Sequence, residues 1–249
     1  FKPTIEFRNV SFRYPDAEED VLHDINFTAH AGQTVGVIGT TGSGKSTVVN
    51  LIPRFYDVTG GAIYIDGVDI RQVRTADLRR KIGYIPQQSN LFSGDIASNL
   101  HFAEEDADEA AMKKSLEIAQ AAEFVFSKPE GLQTEVSQGG VNFSGGQKQR
   151  LSIARALVKQ APIYIFDDSF SALDYKTDAA LRRAIHKNLG NSTVFIVTQR
   201  VATIKNADLI LVLDEGRIID QGTHHQLMDR CEVYREIALS QITQAEALS

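Results

Sequence analysis

Apolar and polar residues alternate along the first third of the chain in the manner of β-strands. The segment TIEFRNVSFRY follows this alternation, and VLHDINFTAHAGQTVGVIG continues it on both sides of a turn at HAGQ. The segment GGAIYIDGVDI has the form of a short hairpin. These patterns predict an N-terminal region built from strands and tight turns.

The pattern changes to a helical one from about Gly94 to Lys159. In DADEAAMKKSLEIAQAAEFV, apolar residues recur at spacings of three and four, and acidic residues come early, which predicts a helix. In the last third, the apolar strands PIYIFD, STVFIVT and DLILVLD alternate with the helical segments DAALRRAIHKNL and HHQLMDRCEVYREIALSQI. Short apolar strands between helices predict a parallel sheet that is covered on both faces.

Composition limits the range of partners and environments. The chain has 249 residues, 43% of them hydrophobic, which is enough for a substantial core. Its 26 basic and 32 acidic residues give a net charge of -6, and this argues against nucleic acid as the main partner. The single cysteine, Cys231, fits a reducing compartment. The chain has no apolar run long enough to cross a bilayer and begins without Met, so we expect either a removed initiator or a piece of a longer polypeptide.

A glycine-rich segment, GTTGSGKST, matches the phosphate-binding pattern G-x-x-x-x-G-K-[ST]. It stands between the apolar strand TVGVIG and the helical segment STVVNLIPRFY, which is the context this motif needs. Glycines let backbone N–H groups surround phosphate oxygens, and the helix adds its positive N-terminal end. We predict that Lys45 reaches the β- and γ-phosphates and that the Ser46 hydroxyl ligates Mg²⁺. The predicted phosphate-binding residues are Gly39, Thr40, Thr41, Gly42, Ser43, Gly44, Lys45, Ser46 and Thr47.

Two adjacent aspartates end the apolar run of IYIFDDSFSALD. Two like charges at the end of a buried strand require a cation nearby. In P-loop proteins, an acidic residue at the end of a second core strand helps to hold Mg²⁺. Asp167 directly ends the run and is therefore the predicted metal ligand, with a helix N-cap or turn aspartate as the alternative.

A second anion site is predicted where NFSGGQKQR opens the helical segment GQKQRLSIARALVK, with Ser144, Gly145, Gly146 and Gln147 at its start. Here the sequence resembles the ATP-binding cassette (ABC) ATPases, whose signature reads LSGGQ. Phe143 replaces the usual leucine. The resemblance covers nearly the whole chain and includes the P-loop, the signature and the strand that ends in acidic residues, in the same order.

The resemblance implies an α/β fold with three parts: a P-loop NTPase (RecA-like) core sheet, an antiparallel β-subdomain and a helical subdomain. The whole of 1–249 would be a single nucleotide-binding domain. Residues 88–160 would form the helical subdomain, and 1–87 with 161–249 would form the core with its β-subdomain.

The resemblance also implies roles for single residues. Tyr14 matches the aromatic residue that stacks on adenine, although taken alone it is equally consistent with a surface position on a strand. Gln87 matches the glutamine that senses the metal and the attacking water, with Gln88 as a neighbouring alternative. The segment SALD, Ser171 to Asp174, matches a loop that crosses a dimer interface. The implied assembly stacks two domains head to tail, so that each ATP lies between one P-loop and the signature of the other subunit.

Three positions depart from the pattern of this family. Asp168 stands where hydrolysing members have a glutamate that orients water, and Gln199 stands where they have a histidine that contacts the γ-phosphate. Gln138 replaces a glutamate that is usual in exporters. Aspartate is one methylene shorter than glutamate, and glutamine cannot carry a proton near neutral pH. Asp168, Gln199 and Gln87 are the candidate catalytic residues, and Ser46, Gln87 and Asp167 the candidate metal ligands.

The resemblance and these departures from it together imply the ATP-binding domain of an exporter that binds ATP and Mg²⁺ but hydrolyses ATP slowly. The expected partners are a second ABC domain from a different subunit and a transmembrane domain of the same polypeptide, at the cytoplasmic face of the cell membrane. We expect contacts with the membrane part from Gln87 to Phe92 and from Thr134 to Gly140. The alternatives are a fully active homodimeric exporter ATPase and a soluble ABC nucleotide switch outside transport.

Overall fold

The computed structural model describes residues 3–248. The strands are β1 Ile5–Phe12, β2 Leu22–Ala29, β3 Thr34–Gly39, β4 Gly60–Ile65, β5 Val68–Asp69, β6 Ile82–Ile85, β7 Gly94–Asp95, β8 Glu135–Val136, β9 Ile163–Asp167, β10 Thr193–Val197, β11 Leu209–Asp214 and β12 Arg217–Gly222. The helices are α1 Lys45–Asn50, α2 Thr75–Arg80, α3 Ile96–Ala103, α4 Glu109–Ile118, α5 Ala122–Phe126, α6 Gly145–Leu157, α7 Tyr175–Asn188, α8 Val201–Ile204, α9 His224–Arg230 and α10 Glu232–Leu248.

Strands near the N-terminus form a four-stranded antiparallel sheet in the order β2-β1-β4-β5. Phe7 lies opposite Phe27 in the β1–β2 pair, and the two rings stack with centroids 4.5 Å apart. The alternation in β1 is interrupted once, at a bulge where Asn9 takes a positive φ of 49°. The strands expected from the alternating pattern are therefore present, and they are antiparallel, as the resemblance implied.

A second sheet of six strands has the order β12-β11-β3-β10-β9-β6. Strands β11, β3, β10, β9 and β6 are parallel, and β12 is antiparallel at one edge. All residues of β9 and β10 are buried, which explains their continuous apolar runs. Because the strands are parallel, the carboxyl ends of β3, β6, β9 and β10 lie at the same edge of the sheet.

The large sheet is covered on both faces. Helices α3 to α6 form a layer on one side, in which α6 packs against α3, α4 and β6. The small sheet covers the other side, where Phe27 meets Phe195 with ring centroids 6.3 Å apart. The chain is thus a mixed α/β fold, as the patterns indicated. Within residues 3–248, no helix has the length and apolar character that a bilayer crossing requires.

Three expected helices were too long. Helix α1 ends at Asn50 rather than near Tyr56, because Pro53 has no N–H to continue the ladder. The segment expected as one helix across 106–125 is two, α4 and α5, separated at Gln120, where φ is +62°. The C-terminal helical segment also divides, because Cys231 takes an extended conformation between α9 and α10. The sequence reasoning also missed the short helix α2.

Candidate functional site

A groove of about 360 Å³ opens at the carboxyl edge of the parallel sheet. The loops after β3, β6, β9 and β10 meet there, although together they are spread over more than a hundred residues of the sequence. The groove is lined by Val21, Thr41, Gly42, Ser43, Gly44, Lys45, Ser46, Thr47, Gln87, Asp168, Val197 and Gln199. Most of the glycine-rich segment is therefore in the same groove as Gln87, Asp168 and Gln199.

The glycine-rich loop has the conformation that an anion cradle needs. Gly42 and Gly44 take φ values of 79° and 98°, and a Cβ on Gly44 would lie 2.7 Å from a methyl carbon of Leu22. The Lys45 ammonium donates a hydrogen bond to the Gly39 carbonyl at 2.9 Å. Within the described residues, the Ser43 hydroxyl is buried without a hydrogen-bond partner, as expected where an anion supplies one.

Burial lowers the pKa of Lys45, while the nearby carboxylates of Asp168 and Asp167 act in the opposite direction. A partly desolvated ammonium beside a row of backbone N–H groups favours a polyanion such as a nucleotide phosphate chain. The loop therefore fits the phosphate-binding role that its sequence predicted.

Asp167 lies beneath this loop, 7% exposed, and the Ser46 hydroxyl donates to its Oδ1 at 2.7 Å. The Tyr84 hydroxyl donates to Oδ2 at 3.0 Å and also lies 3.1 Å from Oδ1 of Asn50. Burial and the charge of Asp167 raise the pKa of Tyr84, so Tyr84 remains a donor at physiological pH. Sequence reasoning did not find Tyr84 or Asn50. In the sequence, Asn50 is only a polar residue at the end of α1, and Tyr84 is only a polar residue within the apolar strand β6.

A hydroxyl and a carboxylate side by side are the oxygen ligands that Mg²⁺ prefers. Ser46 and Asp167 therefore fit a magnesium ion that takes its remaining ligands from phosphates and water, as is usual for Mg²⁺.

Asp168 points into the groove from a left-handed backbone conformation, with φ at +53°. Its N–H donates to the Val197 carbonyl at 2.9 Å, and its carbonyl accepts from the Ser171 hydroxyl at 3.0 Å. Burial raises the pKa of the Asp168 carboxyl, an effect that Lys45 and Arg200 oppose and Asp167 reinforces. The two aspartates are thus in different environments: Asp167 is tied to hydroxyls, and Asp168 faces the groove.

Gln199 reaches the opposite side of the groove, where its Nε2 lies 3.4 Å from Oγ1 of Thr41. The next residue, Arg200, donates to the Ser171 carbonyl at 3.1 Å and pairs with Asp178 at 3.2 Å. Asp178 is 1% exposed. The loop that carries Gln199 is therefore connected through Arg200 both to Ser171 and to Asp178 in α7, and sequence reasoning missed these connections.

The segment after β6 places Gln87 on the groove, whereas Gln88 is not among the lining residues. Two buried side chains anchor this segment. Ser169 donates to the Ile85 carbonyl at 2.7 Å, and Gln149 donates to the Pro86 carbonyl at 3.3 Å. The geometry thus favours Gln87 over its neighbour.

Tyr14 lies beside the far end of the glycine-rich loop but is not among the groove-lining residues. Its hydroxyl and that of Thr47 are 2.9 Å apart and share a hydrogen bond. Its ring packs edge-on against Phe12 and Tyr56, with centroids 4.8 and 5.1 Å away. Tyr14 is half-buried in an aromatic cluster, which holds the ring close to the loop.

The signature segment lies elsewhere, because Ser144, Gly145, Gly146 and Gln147 do not line the groove. Ser144 caps α6 by accepting from the Gln147 N–H, and the Gln147 side chain accepts from the Ser144 N–H in return. Phe143 is buried against Phe124, with the Lys128 ammonium 5.8 Å from its ring centre. Phe143, at the position where leucine is usual, therefore lies in the protein interior, whereas Ser144 and Gly145 are exposed.

The chain is similar to several known proteins. The family model described as ABC transporter matches residues 22–171. An ABC transporter ATP-binding protein of Mycobacterium tuberculosis is 47% identical over 240 residues, which cover 95% of this chain and 41% of that protein. An ATP-dependent lipid A-core flippase of Xanthomonas oryzae pv. oryzae is 42% identical over 247 residues, 99% of this chain and 42% of that protein.

A solved structure of a bacterial Atm1-family ABC exporter with ATP bound superposes with a TM-score of 0.93 and 39% identity. It covers 97% of this chain and 42% of that one. The chain thus spans about two fifths of the length of the relatives it matches.

Proposed function

The chain belongs to the ABC transporter family, and from this membership we propose that it is an ATP-binding domain that powers export across a membrane. Its own phosphate site would bind ATP with Mg²⁺ but hydrolyse it slowly. The observation that carries the proposal is that Asp168 and Gln199 line one groove with the glycine-rich loop.

The parts that bind nucleotide are complete. The loop from Gly39 to Thr47 would hold the phosphates through its N–H groups and Lys45, and Tyr14, which is hydrogen-bonded to Thr47 of this loop, would stack on the base. Ser46 and Asp167 would hold Mg²⁺, with Gln87 at the edge of the same groove. When bound, the ion would neutralise charge that develops on the phosphate oxygens.

The parts that would activate water are weakened. Asp168 is one methylene shorter than glutamate, so its carboxylate lies up to about 1.5 Å farther from an attacking water. In-line attack tolerates little such displacement. Gln199 can donate a hydrogen bond to a terminal phosphate but cannot become cationic. Loss of general-base positioning lowers rates by about 10²–10⁴-fold.

A second ABC domain, from a different subunit, is the proposed partner. Ser144 and Gly145 are exposed at the start of α6, a helix of 13 residues whose N-terminus favours anions. In a head-to-tail pair, Ser144 to Gln147 would complete the phosphate site of the partner. Gln199 and Asp168 would leave this chain's own site the slower of the two.

The membrane part is proposed to belong to the same polypeptide, which places the domain at the cytoplasmic face of the cell membrane. The two segments expected to contact it are neighbours, since a Cβ on Gly140 would lie 2.9 Å from a methyl carbon of Leu91. Just after the first segment, β7 pairs with β8. Phe92 and Phe102 are exposed beside them, with ring centroids 4.6 Å apart. We propose that the helical subdomain spans 88–160 and presents this surface.

Paired measurements of ATP binding and ATP turnover test the proposal. The unmodified chain should bind Mg²⁺–ATP in titration calorimetry and turn it over slowly. The double variant Asp168→Glu, Gln199→His should bind equally well and turn over ATP about 10²-fold faster or more in a self-paired dimer. The matched control makes the same two changes at exposed positions, Asp106→Glu with Gln133→His, and should leave both quantities unchanged.

Two results would contradict the proposal in different ways. Rapid turnover by the unmodified chain alone would favour a self-sufficient homodimeric ATPase. Unchanged turnover in the double variant, with binding preserved and the fold intact by thermal unfolding, would show that Asp168 and Gln199 do not limit the rate.

A further inference from the structure

The C-terminal helix α10 holds the loop that carries Gln199. The side-chain amide of Gln241 makes two hydrogen bonds to main-chain groups of that loop. Its Nε2 donates to the Gln199 carbonyl at 2.5 Å, and its Oε1 accepts from the Val201 N–H at 2.8 Å. One side chain therefore fixes the backbone on both sides of Arg200.

The second of these bonds replaces an ordinary helix cap. The first N–H groups of any helix lack intrahelical partners and need acceptors from outside. Helix α8 is four residues long, and Arg200 at its N-cap makes no side-chain capping bond. Gln241, forty residues farther along the chain, supplies the acceptor for Val201 instead. The start of α8, and with it the end of the groove, thus depends on α10.

Gln241 is not needed to hold α10 itself in place. Tyr234 and Ala238 bury the helix in the core, at 0% and 4% exposure, and α10 also packs against α9. Removal of the Gln241 amide should therefore leave the helix docked while it frees the loop. A variant without this amide therefore tests whether Gln241 positions the loop, without disturbing the packing of α10.

We propose that Gln241 is a positioning residue for the γ-phosphate end of the nucleotide groove. By fixing the main chain at Gln199, it directs the Gln199 amide towards Thr41, 3.4 Å away, and so towards the last phosphate of ATP. The inference rests on the proposed function. Because ADP lacks the phosphate that Gln199 would contact, loss of Gln241 should weaken ATP binding and spare ADP binding.

The test compares ATP and ADP affinities by titration calorimetry in the full chain with Mg²⁺. Gln241→Met keeps the side-chain length and removes both hydrogen bonds. It should weaken ATP binding about fivefold, the equivalent of one lost hydrogen bond, and leave the ADP affinity within about twofold. The matched control is Gln244→Met, at an exposed position of the same helix, and should change neither affinity.

A double-mutant cycle distinguishes positioning from a direct contact or a general loss of stability. Gln199→Ala should reduce ATP affinity alone, and adding Gln241→Met to it should cause no further loss. Amide exchange at Val201 should accelerate in Gln241→Met and stay constant in Gln244→Met. If Gln241→Met does not fold, Gln241→Glu serves in its place, because it keeps the acceptor for Val201 and removes only the donor.

Equal loss of ATP and ADP affinity, or an additive loss in the double variant, would overturn the inference. Unchanged ATP affinity in Gln241→Met would also overturn the inference. If the unmodified chain binds ATP in that experiment, the proposed function would still stand. If the unmodified chain binds no ATP at all, the proposed function falls and this inference falls with it.

Discussion

Replacement of Asp178 by asparagine should lower the free energy of unfolding by about 2–4 kcal/mol, although it exchanges one oxygen for one nitrogen. Asp178 is 1% exposed at the start of α7 and accepts three hydrogen bonds. Oδ1 accepts from Arg182 at 2.6 Å, and Oδ2 accepts from Arg200 at 3.2 Å and from Thr203 at 2.8 Å. The carboxylate therefore pairs with Arg182 on its own helix and with Arg200 and Thr203 of the loop and helix that follow β10.

The magnitude follows from which bonds survive. A hydrogen bond to a charged group contributes about 1.5–3 kcal/mol, and breaking a buried ion pair costs about 3–5 kcal/mol. Asparagine keeps one acceptor oxygen but turns an N–H₂ group towards one guanidinium. Because the Arg182 and Arg200 side chains are 23% and 22% exposed, water screens part of the lost attraction. The expected cost is therefore below that of a full break.

Urea unfolding, followed by circular dichroism, measures the loss. Asp57→Asn is the matched control, since Asp57 pairs with Arg54 at 2.7 Å but its side chain is 54% exposed, and it should lose less than about 1 kcal/mol. Thr203→Val removes one neutral donor and should lose about 1 kcal/mol. An equal, small loss in Asp178→Asn and Asp57→Asn would refute the reasoning that burial sets the strength of this network.

Three further changes test the groove and the elements that support it. Burial raises the folded-state pKa of Asp168, so the folded chain binds more protons at this carboxyl than the unfolded chain does. The free energy of unfolding should therefore fall as pH rises above about 4. Asp168→Asn, which tolerates the same positive φ, should flatten this pH dependence in nucleotide-free unfolding curves. Steeper dependence in the variant would contradict the assignment. Tyr84→Phe removes a donor to Asp167 and should weaken Mg²⁺-dependent ATP binding by about 1 kcal/mol, with metal-free binding unchanged as the internal control in calorimetry. Gly36→Ala would place a Cβ 2.7 Å from that of Ile204, so it should destabilise the fold by about 1–3 kcal/mol in urea, and a neutral result would show that α8 can move away freely.

Local patterns in the sequence were sufficient for most of the fold. The apolar runs of β3, β9 and β10 predicted a buried parallel sheet, because such strands are covered on both faces and need no polar alternation. The division between α4 and α5 was not predictable, since the break is a left-handed Gln120 and glutamine carries no helix-stop signal.

The candidate site was predictable where its residues form a motif and not where tertiary register brings them together. The glycine-rich loop could be recognised because its spacing is itself the chemical requirement, and Asp167 because it ends an apolar strand. Tyr84 was missed because its contact with Asp167 depends on how β6 is paired with β9. Gln241 was missed because nothing within its own helix distinguishes it from the neighbouring polar residues; only the docking of α10 places it against Gln199.

The position of β3 in the large sheet has a consequence for the order in which the molecule can assemble during synthesis. This strand leads into the phosphate-binding loop, yet within the described residues its partners are β10 and β11, the last two parallel strands of this sheet to be synthesised. The small sheet, by contrast, is complete once Asp69 has emerged. A nascent chain would thus hold the phosphate-binding strand without neighbours for more than 150 residues, so the ability to retain nucleotide marks the end of folding and cannot guide its beginning.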